Sequence, residues 1–165
     1  MKNQVFKINK TGEYEFILPF KKRGESGNLL GVIQAMKPGE YQVRVEADHL
    51  VAETNGRVEV RGVVANGARV NLTGLIKIAP GAVKTDSFLD LKLLMLDNKS
   101  YAMAEPELEI LNNEVKASHK ASVGRIDKEQ LYYLASRGIS EKEAVGLIVS
   151  GFLGVIDTGT ANNLE

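Results

Sequence analysis

Between Gly56 and Ile110 the chain repeats one device: a short apolar run, a turn of small or turn-forming residues, then another run. The runs are Val58-Glu59-Val60, Val63-Val64, Val70-Asn71-Leu72, Ile76-Lys77-Ile78, Leu93-Leu94-Met95 and Leu108-Glu109-Ile110. Between them sit Ala65-Asn66-Gly67-Ala68, Ala79-Pro80-Gly81-Ala82 and Leu96-Asp97-Asn98-Lys99. β-Branched and aliphatic residues in short runs form strands, and Asn-Gly and Pro-Gly supply turn dihedrals. Closed as hairpins, such a chain makes a sandwich or a meander; stacked as coils, it makes a parallel β-helix. Two features favour the coils. The turns Asn66-Gly67-Ala68 and Pro80-Gly81-Ala82 are alike and small enough to stack as corners, and the runs are short enough for the sides of a coil. No strict hexapeptide or nonapeptide register holds.

The same strand character begins earlier. Gln4 to Ile8, Tyr14 to Leu18, Leu29 to Ala35 and Tyr41 to Val45 read as strands, with Lys21 to Asn28 a charged loop and Lys37-Pro38-Gly39-Glu40 a turn. Residues 1–55 are therefore the first rungs or a small separate sheet, and 56–126 the β-helix core. From Asp127 the period becomes helical, so 127–157 reads as two helices. Asp127 with Gln130, and Ser140 with Glu143, have capping-box spacing, and Gly138 stands where a left-handed C-terminal cap belongs. In the second helix Ala144, Leu147, Ile148, Phe152 and Val155 mark one apolar stripe, and Val145, Val149, Leu153 and Ile156 mark another. A helix apolar on two sides buries both, one against the β-helix or partner helix and one against a protein partner. Residues 158–165 are read as a disordered polar tail of the kind a vector adds, and are set aside.

Composition excludes whole classes. Lys+Arg and Asp+Glu both count 21, so the chain lacks the basic surplus of a general nucleic-acid binder. With no cysteine there is no disulfide framework, thiolate zinc site or cysteine nucleophile. Met1 to Lys7 carries no secretory apolar run, and no stretch reaches the roughly 20 apolar residues of a membrane helix. A soluble, cytoplasmic protein is expected. Gly24, Gly27 and Gly31 lack the Gly-Lys-Ser/Thr of a phosphate loop, and no G-x-S-x-G elbow occurs, so no nucleotide site and no serine triad are expected.

One segment is more specific. Lys116-Ala117-Ser118-His119-Lys120-Ala121-Ser122-Val123-Gly124 resembles the K-x-S-H-x-A-[TS]-V-G strand of the SufB/SufD family. The resemblance continues through Tyr133-Leu134, Ser136-Arg137-Gly138-Ile139, Glu141 to Ala144, Leu147-Ile148 and Gly151-Phe152. Upstream, Pro106 to Ile110, Leu93 to Met95 and Thr85-Asp86 are also similar; from Arg57 to Val83 the likeness is weaker. Ser122-Val123-Gly124 is SufD-like rather than SufB-like. The resemblance implies a mainly β fold, a right-handed parallel β-helix with a short C-terminal α-helical segment. It implies a non-catalytic scaffold in SUF-type iron–sulfur cluster assembly. Such a chain would pair through its β-helix with a SufB-like chain or with itself, and dock a SufC-type ATPase through its helices. Family members are usually more than twice this length, so the chain is a short homologue or a piece of a longer protein. SufB's functional cysteine would fall near Leu91, and the glutamate SufB carries after its histidine is Lys120 here. SufB's assembly chemistry therefore does not transfer, but the histidine of SufD-type chains matches His119.

His119 is thus the candidate iron or cluster ligand at a dimer interface, one ligand of a transient iron–sulfur cluster completed by the partner; no cofactor is expected to bind tightly to this chain alone. The plainer reading is a histidine that bonds the next turn and shapes the corner before the helices. Leu131, Tyr133, Arg137, Ile139, Glu143, Leu147 and Ile148 are the candidate docking surface, with Leu134 and Ala144 inward and Arg137 and Glu143 towards the partner. The plainer reading there is a helical cap over the open end of the β-helix. His49, in Asp48-His49, reads as a surface or turn histidine with Asp48 beside it and no metal motif. Glu105, Glu107 and Glu109 alternate, as expected of the solvent face of a strand with Leu108 and Ile110 inward. Two other classes remain as alternatives: a polymerising, bactofilin-like structural protein, and a carbohydrate-active β-helix enzyme that would need carboxylates clustered on adjacent rungs.

Overall fold

In the computed structural model the described residues are 1–154. The chain runs β1 (Lys2–Ile8), β2 (Gly12–Phe20), β3 (Ser26–Ala35), β4 (Gly39–His49), β5 (Asn55–Val64), β6 (Ala68–Ile78), β7 (Asp86–Met95), β8 (Tyr101–Ile110), β9 (Lys116–Arg125), α1 (Lys128–Ser136) and α2 (Glu141–Leu153). Odd strands make a five-stranded sheet ordered β1-β3-β5-β7-β9, and even strands a four-stranded sheet ordered β2-β4-β6-β8. Each strand from β1 to β7 pairs in parallel with the strand two ahead, never with its sequence neighbour. Parallel pairing excludes hairpins, so the chain winds as a β-solenoid with two strands per coil. One coil takes roughly 30 residues, the step from Asn55 to its partner Asp86 and from Asp86 to Lys116. The strands before residue 56 stack in the same two sheets as those after it.

The strands are longer than the apolar runs that signalled them, which corrects the expectation of short sides. Val58 to Val64 lies within one strand, β5, and Val70 to Ile78 within one strand, β6. Gly62 and Gly74 break the apolar pattern inside them because larger neighbours occupy the space of a side chain. A Cβ at Gly74 would lie 2.8 Å from Leu89 and 3.0 Å from Leu91. Alternation places Val58, Val60, Leu72, Ile76, Leu89 and Leu91 inward, all without exposed surface.

The corners stack as well. Gly24, Glu53 and Lys84 all have left-handed φ, at 72°, 61° and 57°. Each donates its N–H to the next coil, to the carbonyls of Ala52, Val83 and Glu114. These inter-coil bonds hold Glu53 and Lys84 in a conformation that glycine adopts without strain.

The helix boundaries keep their sequence signals, with one change. Asp127 caps α1 through the Glu129 N–H at 2.9 Å rather than in a box with Gln130, Ser140 and Glu143 form the full capping box, and Gly138 has φ 83°. Their placement overturns the end-cap reading. α2 lies on the outer face of the odd sheet, where Val149 and Leu153 bury against Val32 and Val63, flanked by Leu30, Leu94, Val145 and Phe152. This face of the odd sheet carries apolar residues outward, and covering them outweighs covering the end. α1 has no buried residue. Ala144 is fully buried, whereas Leu147 remains 56% exposed. Val155, Ile156 and the tail 158–165 lie outside the described residues.

Candidate functional site

The register carries each inward position of one coil onto an inward position of the next. One such row is Leu29, Val58, Leu89 and His119. His119 therefore occupies a core position of the solenoid, yet it is exposed, because β9 pairs with β7 on one side only. Val123 continues the row of Ile33, Gly62 and Leu93 and is 40% exposed. Across the interior β8 likewise pairs with β6 alone. Its inward residues Leu108 and Ile110 continue the rows of Ile76 and Ile78, and are 40% and 38% exposed. The sequence assignment of these two as inward holds; their exposure follows from being on the last coil. The end of the solenoid is thus a face with two free backbone edges, an apolar floor and one imidazole.

Such a face offers one ligand for a soft or borderline metal and no more. Among the described residues no three His, Cys, Asp or Glu side chains converge as a metal site. Leu91 is fully buried one coil below Ala121 and supplies no donor atom. Lys120 points to the opposite side of β9 from His119, over Asp90. A cluster on this face would depend on ligands from elsewhere.

The candidate docking residues of the tail come together. Ile139, Glu143 and Leu147, with Gly138 and Gly146, line one shallow groove between the helices. Tyr133, Arg137, Glu143 and Leu147 are exposed; Leu131, Ile139 and Ile148 are half-buried. The Arg137 guanidinium lies over the Tyr133 ring at 5.3 Å. Ser140, through its hydroxyl and then its backbone N–H, holds the Glu143 carboxyl below the usual carboxylate range. Leu134 is half-buried and Ala144 fully buried.

Two further sequence assignments meet the geometry differently. His49 is not at the surface: it has no exposed area and stacks on Phe20 with centroids 4.3 Å apart. Strand β4 runs to His49, and alternation from Val43, Val45 and Ala47 turns His49 inward and Asp48 outward, so the two are not partners. Reading β4 as ending at Val45 hid this. Glu105, Glu107 and Glu109 do lie on the exposed outer side of β8.

Fold and end face together define a class: parallel β-solenoids of two strands per coil, here with an exposed imidazole on a strand paired from one side. The family described as SUF system FeS cluster assembly, SufBD core domain, matches residues 13–152. The chain is 33% identical over 133 residues to the iron-sulfur cluster assembly protein SufB of Bacillus subtilis (strain 168), covering 81% of this chain and 29% of that protein. Iron-sulfur cluster assembly SufBD family proteins of Staphylococcus aureus (strain USA300) and Staphylococcus epidermidis (strain ATCC 12228 / FDA PCI 1200) are each 32% identical over 130 residues, which is 79% of this chain and 28% of each. The chain belongs to the SufBD core family. It spans less than a third of the length of these relatives.

Proposed function

We propose that this chain is a non-catalytic, SufD-type scaffold component of SUF iron–sulfur cluster assembly in the cytoplasm. It pairs through the open end of its solenoid with a SufB-like chain or a second copy, and docks a SufC-type ATPase through α1 and α2. The observation that carries the pairing is the set of inward apolar residues left exposed at this end, Leu108, Ile110 and Val123, beside the free edges of β8 and β9; β1 and β2 leave free edges too, but Phe6 there is buried. Free edges and apolar rows are what a partner strand covers. His119 stands on that face, so pairing would bring it against the partner, where it contributes one ligand to a transient cluster. The cluster is cargo, not a resident cofactor. The groove of Gly138, Ile139, Glu143 and Leu147 gives the ATPase a surface separate from the end face. Belonging to the SufBD family supports the assembly role. On the outer side of β8 the three glutamates stand along one strand rather than on adjacent coils, so this trio does not supply the facing carboxylates of a glycosidase.

The test is co-purification with a SufC-type ATPase and a SufB-like chain, followed by complementation of a strain lacking the SufD-type component. Leu147→Asp is expected to release the ATPase while the solenoid still pairs. His119→Ala is expected to leave both complexes intact and abolish complementation. Normal growth with His119→Ala refutes the ligand role, and failure to retain either partner refutes the scaffold.

A further inference from the structure

Buried at one corner of the solenoid is a polar group that the scaffold role does not use. His49 ends β4; its Nδ1 lies 2.7 Å from the Thr54 hydroxyl and its Nε2 3.0 Å from the Ser87 hydroxyl. The Thr54 hydroxyl lies 3.1 Å from that of Thr85, which donates to the Ala82 carbonyl at 2.9 Å. One ordering of protons satisfies all of these groups. Thr85 donates to Ala82, Thr54 to Thr85, His49 Nδ1–H to Thr54, and Ser87 to the bare Nε2. The imidazole is then neutral, with its proton on Nδ1.

Each contact belongs to a different coil. Phe20, stacked on the ring, ends β2; Thr54 precedes β5; Ser87 lies in β7. The ring fits because position 56 is glycine: a Cβ there would lie 2.8 Å from His49 and 3.0 Å from Phe20. Among the described residues no charged group faces the imidazole. Phe20 of β2, Thr54 and Gly56 at β5, Ile78 of β6 in the next coil, and Thr85 and Ser87 at β7 are all uncharged. Asp48 is turned to the outer face, and the Lys2–Glu25 ion pair (2.8 Å) belongs to the coil before, beside Phe20 and Gly27.

We propose that this corner is an acid-sensitive seam, at which protonation of His49 separates the first coils from the later ones before the solenoid unfolds as a whole. A second ring proton displaces the Ser87 hydroxyl proton from Nε2 and puts an unpaired charge in the core. Burial lowers the His49 pKa from 6.5 to about 4, in the direction such a site demands. A folded-state pKa below the unfolded value means the closed state is favoured above pH 6.5 and loses that advantage as pH falls towards 4. In a solenoid each coil touches only its neighbours, so loss of one corner is not shared by the whole chain.

Hydrogen exchange of the intact chain, followed by mass spectrometry and corrected for intrinsic rates, tests this. Between pH 7.5 and pH 5, protection of β1–β4 is expected to fall by roughly 30-fold, while β6–β8 keep theirs. His49→Gln is expected to abolish the difference. Uniform loss, no loss, or a difference that persists in His49→Gln overturns the seam. Should that variant not fold, the wild-type imidazole is followed by nitrogen-15 NMR, with His119→Gln used for assignment. A neutral Nδ1–H ring persisting to pH 5 supports the proposal, and a ring half-protonated near pH 6.5 overturns it.

Discussion

The same two rows of side chains begin at one end of the solenoid as aromatics and finish at the other as small residues. Phe6 starts the row that passes through Gly31, Val60 and Leu91 to Ala121; Phe16 starts the row through Val45 and Gly74 to Pro106. At the N-terminal end the two rings stack with centroids 3.8 Å apart and fill the interior of the first coil. Gly31 makes room beneath, since a Cβ there would collide with the Phe6 ring. At the C-terminal end Ala121 and Pro106 leave the interior shallow, with Leu108, Ile110 and Val123 around it. β1 and β2 are edge strands just as β8 and β9 are, so the two ends differ in their inward side chains, rings at one and small residues at the other, and not in their free edges.

This contrast can be broken from either side. The largest effect is expected from Phe6→Ala, which empties the plug and removes the stack with Phe16. It should cost about 3 kcal/mol, read by urea unfolding. A cost below about 1 kcal/mol would mean the stacked rings contribute little to packing the first coil. Next comes Leu153→Ala on α2, expected to cost about 2 kcal/mol. Because α2 rests on the side of the odd sheet, the loss should show as faster hydrogen exchange in α1 and α2, with the strands unchanged. The smallest effect on stability is expected from Val123→Ala, under about 1 kcal/mol, because the side chain is already 40% exposed. Its mark should instead be a weaker complex with a SufB-like chain or a second copy, measured by sedimentation. Unchanged pairing would remove Val123 from the interface.

Much of this was open to reading along the chain because it is local. A cap needs an oxygen two or three residues before an N–H, so Ser140 and Glu143 declared the start of α2. Gly138 declared the end of α1 in the same way. The match of Lys116 to Phe152 placed His119 on a strand just before the helices. What misled was also local: Gly62 and Gly74 look like breaks in apolar runs, and only the side chains arriving from other coils turn them into packing positions inside long strands.

The sequence by itself determined that the chain is mainly β, where its helices lie and that no cysteine is available. These follow from composition, alternation and spacing, which act over a few residues; the family came instead from the resemblance of a long run of residues to a known motif. The tertiary structure decided that the strands pair with partners roughly 30 residues away, because hairpins and coils use the same strands and differ only in long-range pairing. It also decided which inward positions are buried. His49 and His119 both stand at inward positions, but one has a coil on each side and the other on one side only. The first is a neutral group in the core, and the second is the exposed imidazole of the end face.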